Sequence, residues 1–226
     1  EIYTLSLHDA LPISTSSRVI YGARISLAVG VLATAISTVI GLVMGALAAY
    51  YGGIWDTIIM RLADIFLAFP YTLFVIAMLA VLGSGIQNVF IAIGVLGWPS
   101  IARVFRSAIL SVKENDYVDA ARSMGASDAR IIMRHIFPNS VASIVVYATM
   151  NIGGAILTEA ALSFLGMGVV PPDPSWGILI ENGQKFLATQ PWLMIMPGLA
   201  ILLTVLAFTL LGDGLRDALD VKMKDA

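Results

Sequence analysis

Four long stretches of the chain carry no charged side chain: Ile25–Trp55, Ile65–Ala102, His135–Thr158 and Phe186–Gly212. A helix needs about 20 consecutive apolar residues to cross a bilayer. Inside lipid, every backbone polar group must be satisfied within the protein. Runs of this length therefore point to an all-α polytopic membrane protein. Composition agrees, with 58% of residues hydrophobic, 12% charged and a mean hydropathy of +0.89; a soluble domain carries about 25% charged residues. Three of the stretches fit one span each. Ile65–Ala102 fits two, divided at "LGSGIQN" (Leu82–Asn88), where two glycines and polar residues mark a turn. Five spans are expected, at Ser26–Tyr50, Phe66–Leu82, Val89–Ala108, Val141–Phe164 and Trp192–Gly212.

Five spans put the two ends of the chain on opposite sides. Ten of the thirteen Lys and Arg residues fall on the side that holds the central charged segment and the C-terminus. The remaining three, Arg18, Arg24 and Lys185, fall on the other. The excess of positive charge marks the cytoplasmic side, so residues before Ser26 are expected outside. The chain has no cysteine, which excludes disulfides and thiolate chemistry. A net charge of −2 gives no electrostatic reason for a nucleic-acid partner.

One polar segment interrupts this apolar chain, "VKENDYVDAARSMGASDARIIMRHIFPNS" (Val112–Ser140). Asn115 or Asp116 can cap a short helix that runs to Met124. Gly125 then suits a C′ position, where the backbone turns left-handed. Ser127 can cap a second helix, with Asp128 in its first turn where the helix dipole favours a negative charge. Pro138 is expected to follow that helix, and Asn139 or Ser140 to cap the next span. In the second helix Ile131, Ile132 and Ile136 share one side, and Arg130 and Arg134 another. Helix–turn–helix also describes DNA-binding modules, but spans enter and leave within a few residues, so no free helix can reach a groove.

"DAARSMGASDARIIMRHIFPN" resembles the EAA loop of permease subunits of ATP-binding-cassette (ABC) importers. That pattern is Glu-Ala-Ala, three residues, Gly, then a fixed run to Ile-x-Leu-Pro. Asp119, Ala120, Ala121, Gly125 and Pro138 fall on it. The sequence departs at Asp119 for Glu, His135 for Ile and Phe137 for Leu. "LTEAALSFLGMGVVPPDPSWGILIENG" (Leu157–Gly183), "RVIYGARISLAVG" (Arg18–Gly30) and "MRLADIFLAFP" (Met60–Pro70) resemble the C-type permeases of dipeptide and oligopeptide importers.

The resemblance implies a type I ABC importer transmembrane fold, with five of six expected spans visible. It implies that residues 112–140 form a coupling loop docking on a cytoplasmic ATPase, through Asp119, Ala120, Ala121, Gly125, Ala126, Ser127 and Pro138. Two ATPase subunits, a second homologous permease and an external substrate-binding protein are the implied partners, in a bacterial or archaeal inner membrane. ATP would be used by the partners, and this chain would bind no cofactor. Peptides are the implied substrate; nickel–chelate, glutathione and glycoside importers of the same subfamily stay open. Residues 165–191 would form an external loop.

Other residues carry weaker signals. Glu159 is a carboxylate within an apolar span, where an ionised group costs about 2.5–3.5 kcal/mol on insertion. It is expected either to bond the outer loop or to lie on the substrate path. Pro70 and Pro99 are expected to kink helices, and Pro70 is a second candidate for the path. Arg61 and Asp64 are spaced for a local ion pair. After Pro171, Pro172 and Pro174, "SWGILIENGQKF" reads as a short amphipathic helix lying on the membrane surface. No phosphate-loop or HExxH pattern is present, which leaves no candidate catalytic residue or metal site. An ATP-independent secondary transporter or channel is the rival class; it calls for internal repeats and mid-membrane ionisable groups.

The opening "EIYTLSLHDALPI" (Glu1–Ile13) looks like one reading frame of a common sequencing adapter. It is expected to be foreign to the natural protein and is set aside. Residues 14–226 then form the expected permease domain.

Overall fold

The computed structural model describes residues 12–170 and 173–224. Most of the opening leader, and Pro171 and Pro172, lie outside the described residues. Every regular element described is a helix. In chain order these are α1 (Pro12–Tyr51), α2 (Gly53–Ala68), α3 (Tyr71–Leu82), α4 (Ile86–Leu96), α5 (Trp98–Lys113), α6 (Asp116–Ser123), α7 (Asp128–Ile131), a π-helical turn (Ile132–Ile136), α8 (Phe137–Phe164), α9 (Trp176–Gln184) and α10 (Trp192–Lys224).

Four helical stretches are long and apolar enough to cross a membrane: Thr15–Tyr51, Ile86–Lys113, Ile132–Phe164 and Trp192–Leu219. Each contains one of the expected spans and is longer, because a helix does not stop where its charge-free run stops. The expected span Phe66–Leu82 is the exception. α2 and α3 meet at an angle of 89°, with Pro70 at the corner. Counted as one broken span, this pair makes five. Pro70 thus turns the chain rather than kinking a helix. It presets its own φ at −57° and has no N–H to lose at the start of α3. Pro99 sits in the first turn of α5, just past a break at Gly97.

The central helix α1 packs against α4, α5 and α8. Its contact with α5 is close because Gly45 faces the α5 backbone: a Cβ there would lie 2.7 Å from the Ala102 carbonyl oxygen. Small residues let helices approach in this way in lipid. Toward one end, Val29 and Ala33 of α1 meet Val75 and Leu79 of α3, Val89 and Ile93 of α4, and Leu162 of α8. Toward the other, Ala49 and Tyr50 of α1 meet Phe105 and Ile109 of α5, together with Val118, Ala121, Ile131 and Ile136 of the polar segment.

Two local expectations are corrected. Pro138 does not separate two helices. α7, the π-turn and α8 run on, and the amide of Phe137 reaches back to the Ile132 carbonyl. A wider turn before proline relieves the clash that its ring makes in a regular α-helix. Neither Asn139 nor Ser140 caps this span: the Asn139 amide donates to the His135 carbonyl (2.6 Å), and the Ser140 hydroxyl is buried without a partner. The second correction is α9, which does not lie on a surface. Trp176, Gly177 and Ile178 are buried, and the helix packs against α1, α8 and α10.

Candidate functional site

The polar segment folds as a helix–turn–helix with an apolar root. α6 ends in a Schellman turn: the Ala126 amide donates to the Ala121 carbonyl (3.1 Å) and the Gly125 amide to the Arg122 carbonyl (3.0 Å). Gly125 has φ +81°, the left-handed conformation its sequence position called for. Ala121 is buried and packs in the same cluster as Ala126. Ser127 stands before α7, where its carbonyl accepts the Ile131 amide (3.0 Å). Asn115 occupies the position before α6, but its side chain works backward, donating to the Ser111 and Val112 carbonyls and closing the end of α5.

This root leaves a distinct outer surface. Val118, Ala121, Ile131 and Ile136 point inward. Met124 is 81% exposed and Met133 67%, and Tyr117, Asp119, Ala120 and Arg122 are exposed beside them. Asp119 is 3.6 Å from Arg122 of its own helix. Gly125, Ser127 and Pro138 are exposed as well, so most of the residues singled out in this segment share one solvent-facing side. Flexible, polarisable methionines on an exposed surface are adaptable contacts for a partner.

A second feature lies where the helices break. A cavity of about 170 Å³ is lined by Thr34 and Ser37 of α1, Tyr71 of α3, Ser100 of α5, and Asn151 and Thr158 of α8. No charged side chain lines it. The Tyr71 hydroxyl donates to the Ile93 carbonyl and the Ser37 hydroxyl to the Gly94 carbonyl, each at 2.8 Å. These bonds serve the backbone beside the Gly97 break, as a broken helix in lipid requires. The Thr34 hydroxyl is buried without a partner. Pro70, between the lining residues Leu67 and Tyr71, shapes the wall from the α2–α3 corner.

Glu159 is not among the cavity's lining residues. It is 0% exposed, and its two carboxylate oxygens accept from the Ser26 hydroxyl (3.0 Å) and the Ser163 hydroxyl (2.7 Å). The Ser26 oxygen accepts the Trp176 amide (3.2 Å), and the Ser163 oxygen accepts the Val169 amide (3.1 Å). Glu159 thus sits at the centre of a network joining α1, α8 and the segment after α8.

Sequence reasoning missed two ion pairs that fasten α2 to α5. Arg106 binds Asp56 through two parallel contacts (2.5 and 2.6 Å), and Arg103 binds Asp64. The expected Arg61–Asp64 contact exists only at 3.8 Å, with Arg61 80% exposed. The spacing of Asp56 and Asp64 along one helix face, opposite Arg103 and Arg106 in the next span, was the available signal.

Comparison with known proteins agrees with this architecture. Residues 18–225 match the family model described as "Binding-protein-dependent transport system inner membrane component". The chain is 51% identical over 216 residues to the glutathione transport system permease protein GsiD of Shigella sonnei, covering 96% of this chain and 71% of that protein. Identity to the same permease of Pectobacterium atrosepticum is 49%, covering 96% and 72%. Among solved structures, an inward-facing MetNI methionine ABC transporter matches with a TM-score of 0.73 at 20% identity, covering 89% of this chain and 95% of the other. An amino acid ABC transporter with histidines matches with a TM-score of 0.72 at 16% identity, covering 91% and 96%. At such identities the structures show the fold, and it is the importer transmembrane fold that the resemblance implied. The chain therefore belongs to the family of binding-protein-dependent transport system inner membrane components and is a permease subunit of an ABC importer.

Proposed function

We propose that this permease carries peptides, with glutathione and other short peptides as the substrate class, and that residues 112–140 dock a cytoplasmic ATPase. The observation that carries the docking role is the division of that segment. Its apolar side is rooted among α1, α5 and α8, while its other side presents Met124, Met133 and Tyr117 to solvent. A mere connecting loop has no need of four buried residues of its own. A second homologous permease would close the path, two ATPases would drive alternating access, and an external binding protein would deliver substrate. ATP is hydrolysed on those partners. Support for the substrate class comes from the likeness to GsiD and from the cavity, whose uncharged hydroxyl and amide groups suit a peptide backbone.

Gly125→Val in the full-length importer tests docking. A β-branched side chain at φ +81° strains the turn, and an added Cβ there meets nothing within 4 Å, so packing is spared. The variant should insert normally and lose the co-purifying ATPase. Normal co-purification with normal uptake of labelled glutathione would remove the turn from the docking surface. Sidedness is tested with single cysteines at Ser127 and Thr189 in this cysteine-free chain. An impermeant thiol reagent on intact cells should label position 189 and spare 127, placing the loop and the C-terminus in the cytoplasm.

A further inference from the structure

Tyr50 stands one residue before the end of α1 and is 8% exposed. Its hydroxyl donates to the carboxylate of Asp128, the first residue of α7. Arg122, in the last turn of α6, is a second hydrogen-bond partner of that hydroxyl. Lys113, the last residue of α5, places its ammonium on the Tyr50 carbonyl (2.9 Å) and reaches the Ala49 carbonyl at 3.4 Å. The same ammonium lies 5.5 Å from the centre of the Tyr50 ring. One residue of α1 therefore gathers the end of α5, the end of α6 and the start of α7.

The apolar root already holds the polar segment against the bundle. Apolar contact, however, has no direction, and isoleucines can slide over one another. The Tyr50 hydroxyl adds bonds with defined geometry, to both short helices at once. It sits on a helix with no internal break between Pro12 and Tyr51. The same helix carries Thr34 and Ser37 into the cavity, about 20 Å away at a helical rise of about 1.5 Å per residue.

We propose that Tyr50 is a positioning residue for transport, whose hydroxyl locks the orientation of α6 and α7 to the end of α1, so that a displacement of the coupling segment is delivered along α1 to the cavity. The proposal rests on the reading that this segment docks an ATPase.

The test uses the full-length permease with its partner permease and ATPases in proteoliposomes. Tyr50→Phe deletes the hydroxyl and keeps the ring, its packing and the Lys113 contact. ATPase should co-purify in the wild-type ratio and ATP hydrolysis should continue, while labelled glutathione taken up per ATP falls about tenfold, as expected for losing one hydrogen bond to a charged group. Asp128→Asn should fall similarly, and the double variant no further, because both remove one interaction. A readout independent of substrate is thiol labelling of Thr34→Cys. Its labelling rate should differ between nucleotide-free and vanadate-trapped states, and Tyr50→Phe should abolish most of that difference. Wild-type uptake per ATP, or a wild-type labelling difference in Tyr50→Phe, overturns the positioning role. Loss of the ATPase from the Tyr50→Phe complex also overturns it, by making the hydroxyl part of the docking surface itself. Absence of ATPase from the wild-type complex would instead refute the docking reading.

Discussion

The chain makes the same hydrogen-bonded turn twice, once before α8 and once after it. At the first, Gly125 has φ +81° and the Ala126 amide reaches the Ala121 carbonyl. At the second, Gly166 has φ +75° and the Met167 amide reaches the Leu162 carbonyl. What surrounds them differs. Nothing lies within 4 Å of a Cβ added at Gly125. The second turn runs straight into Gly168, where an added Cβ would lie 2.5 Å from the Ser163 amide nitrogen and 2.6 Å from its Cα. Behind it stands the buried Glu159 network, and the Gly168 carbonyl accepts the Gly85 amide from the α3–α4 connection. One turn is packed from every side and the other is open on its outer side. Their local chemistry is shared, so surroundings, not the turn itself, decide whether a change there acts on stability or on a partner.

That contrast can be broken most strongly at Glu159. Glu159→Ala removes the acceptor shared by two buried hydroxyls and should destabilise the permease by about 2–4 kcal/mol, seen as a lowered melting temperature in detergent. Glu159→Gln keeps an acceptor and should cost less. Equal melting of wild type and Glu159→Ala would show that the network contributes nothing. Gly168→Ala comes next. Overpacking against Ser163 should cost about 1–3 kcal/mol, measured by the same melts. Gly125→Ala should cost about 1 kcal/mol from backbone strain alone, with the ATPase partly lost from the purified complex. A larger loss of stability at Gly125 than at Gly168 would reverse the comparison. The smallest effect is expected at Arg61→Ala, within about 0.5 kcal/mol, because an exposed ion pair at 3.8 Å contributes little.

How legible these features were in the sequence follows from the range of the forces involved. Gly125 was readable because a left-handed turn is a local demand that one residue type meets best. The isoleucine side of the polar segment was readable from helical periodicity alone, and Ile131 and Ile136 are buried. The corner at Pro70 was not. A proline states that a helix is disturbed, but the angle is set by what α2 and α3 pack against, including the ion pairs from Asp56 and Asp64 to α5. Pro138 misled for a similar reason. Its sequence signal is that of a helix end, while the buried Ile136 and Ile144 on either side keep the chain helical and the π-turn absorbs the strain. The surroundings of Glu159 were out of reach, since Ser26 lies 133 residues away in the chain. The cavity was equally out of reach, because its hydroxyls are scattered among four helices and none is unusual in its own span.

The Glu159 network also has an order in time. The chain is made from Ser26 toward Trp176, and α8 enters the bilayer between them. When the carboxylate reaches lipid, Ser26 already exists on an earlier span, and Ser163 follows one helical turn behind in the same helix. Glu159 therefore never has to wait in hydrocarbon for a partner not yet synthesised. The Trp176 amide arrives last and finds the Ser26 oxygen already fixed in place. Biosynthesis thus lays down the anchor before the loop it holds, and α9 is assembled onto a finished template.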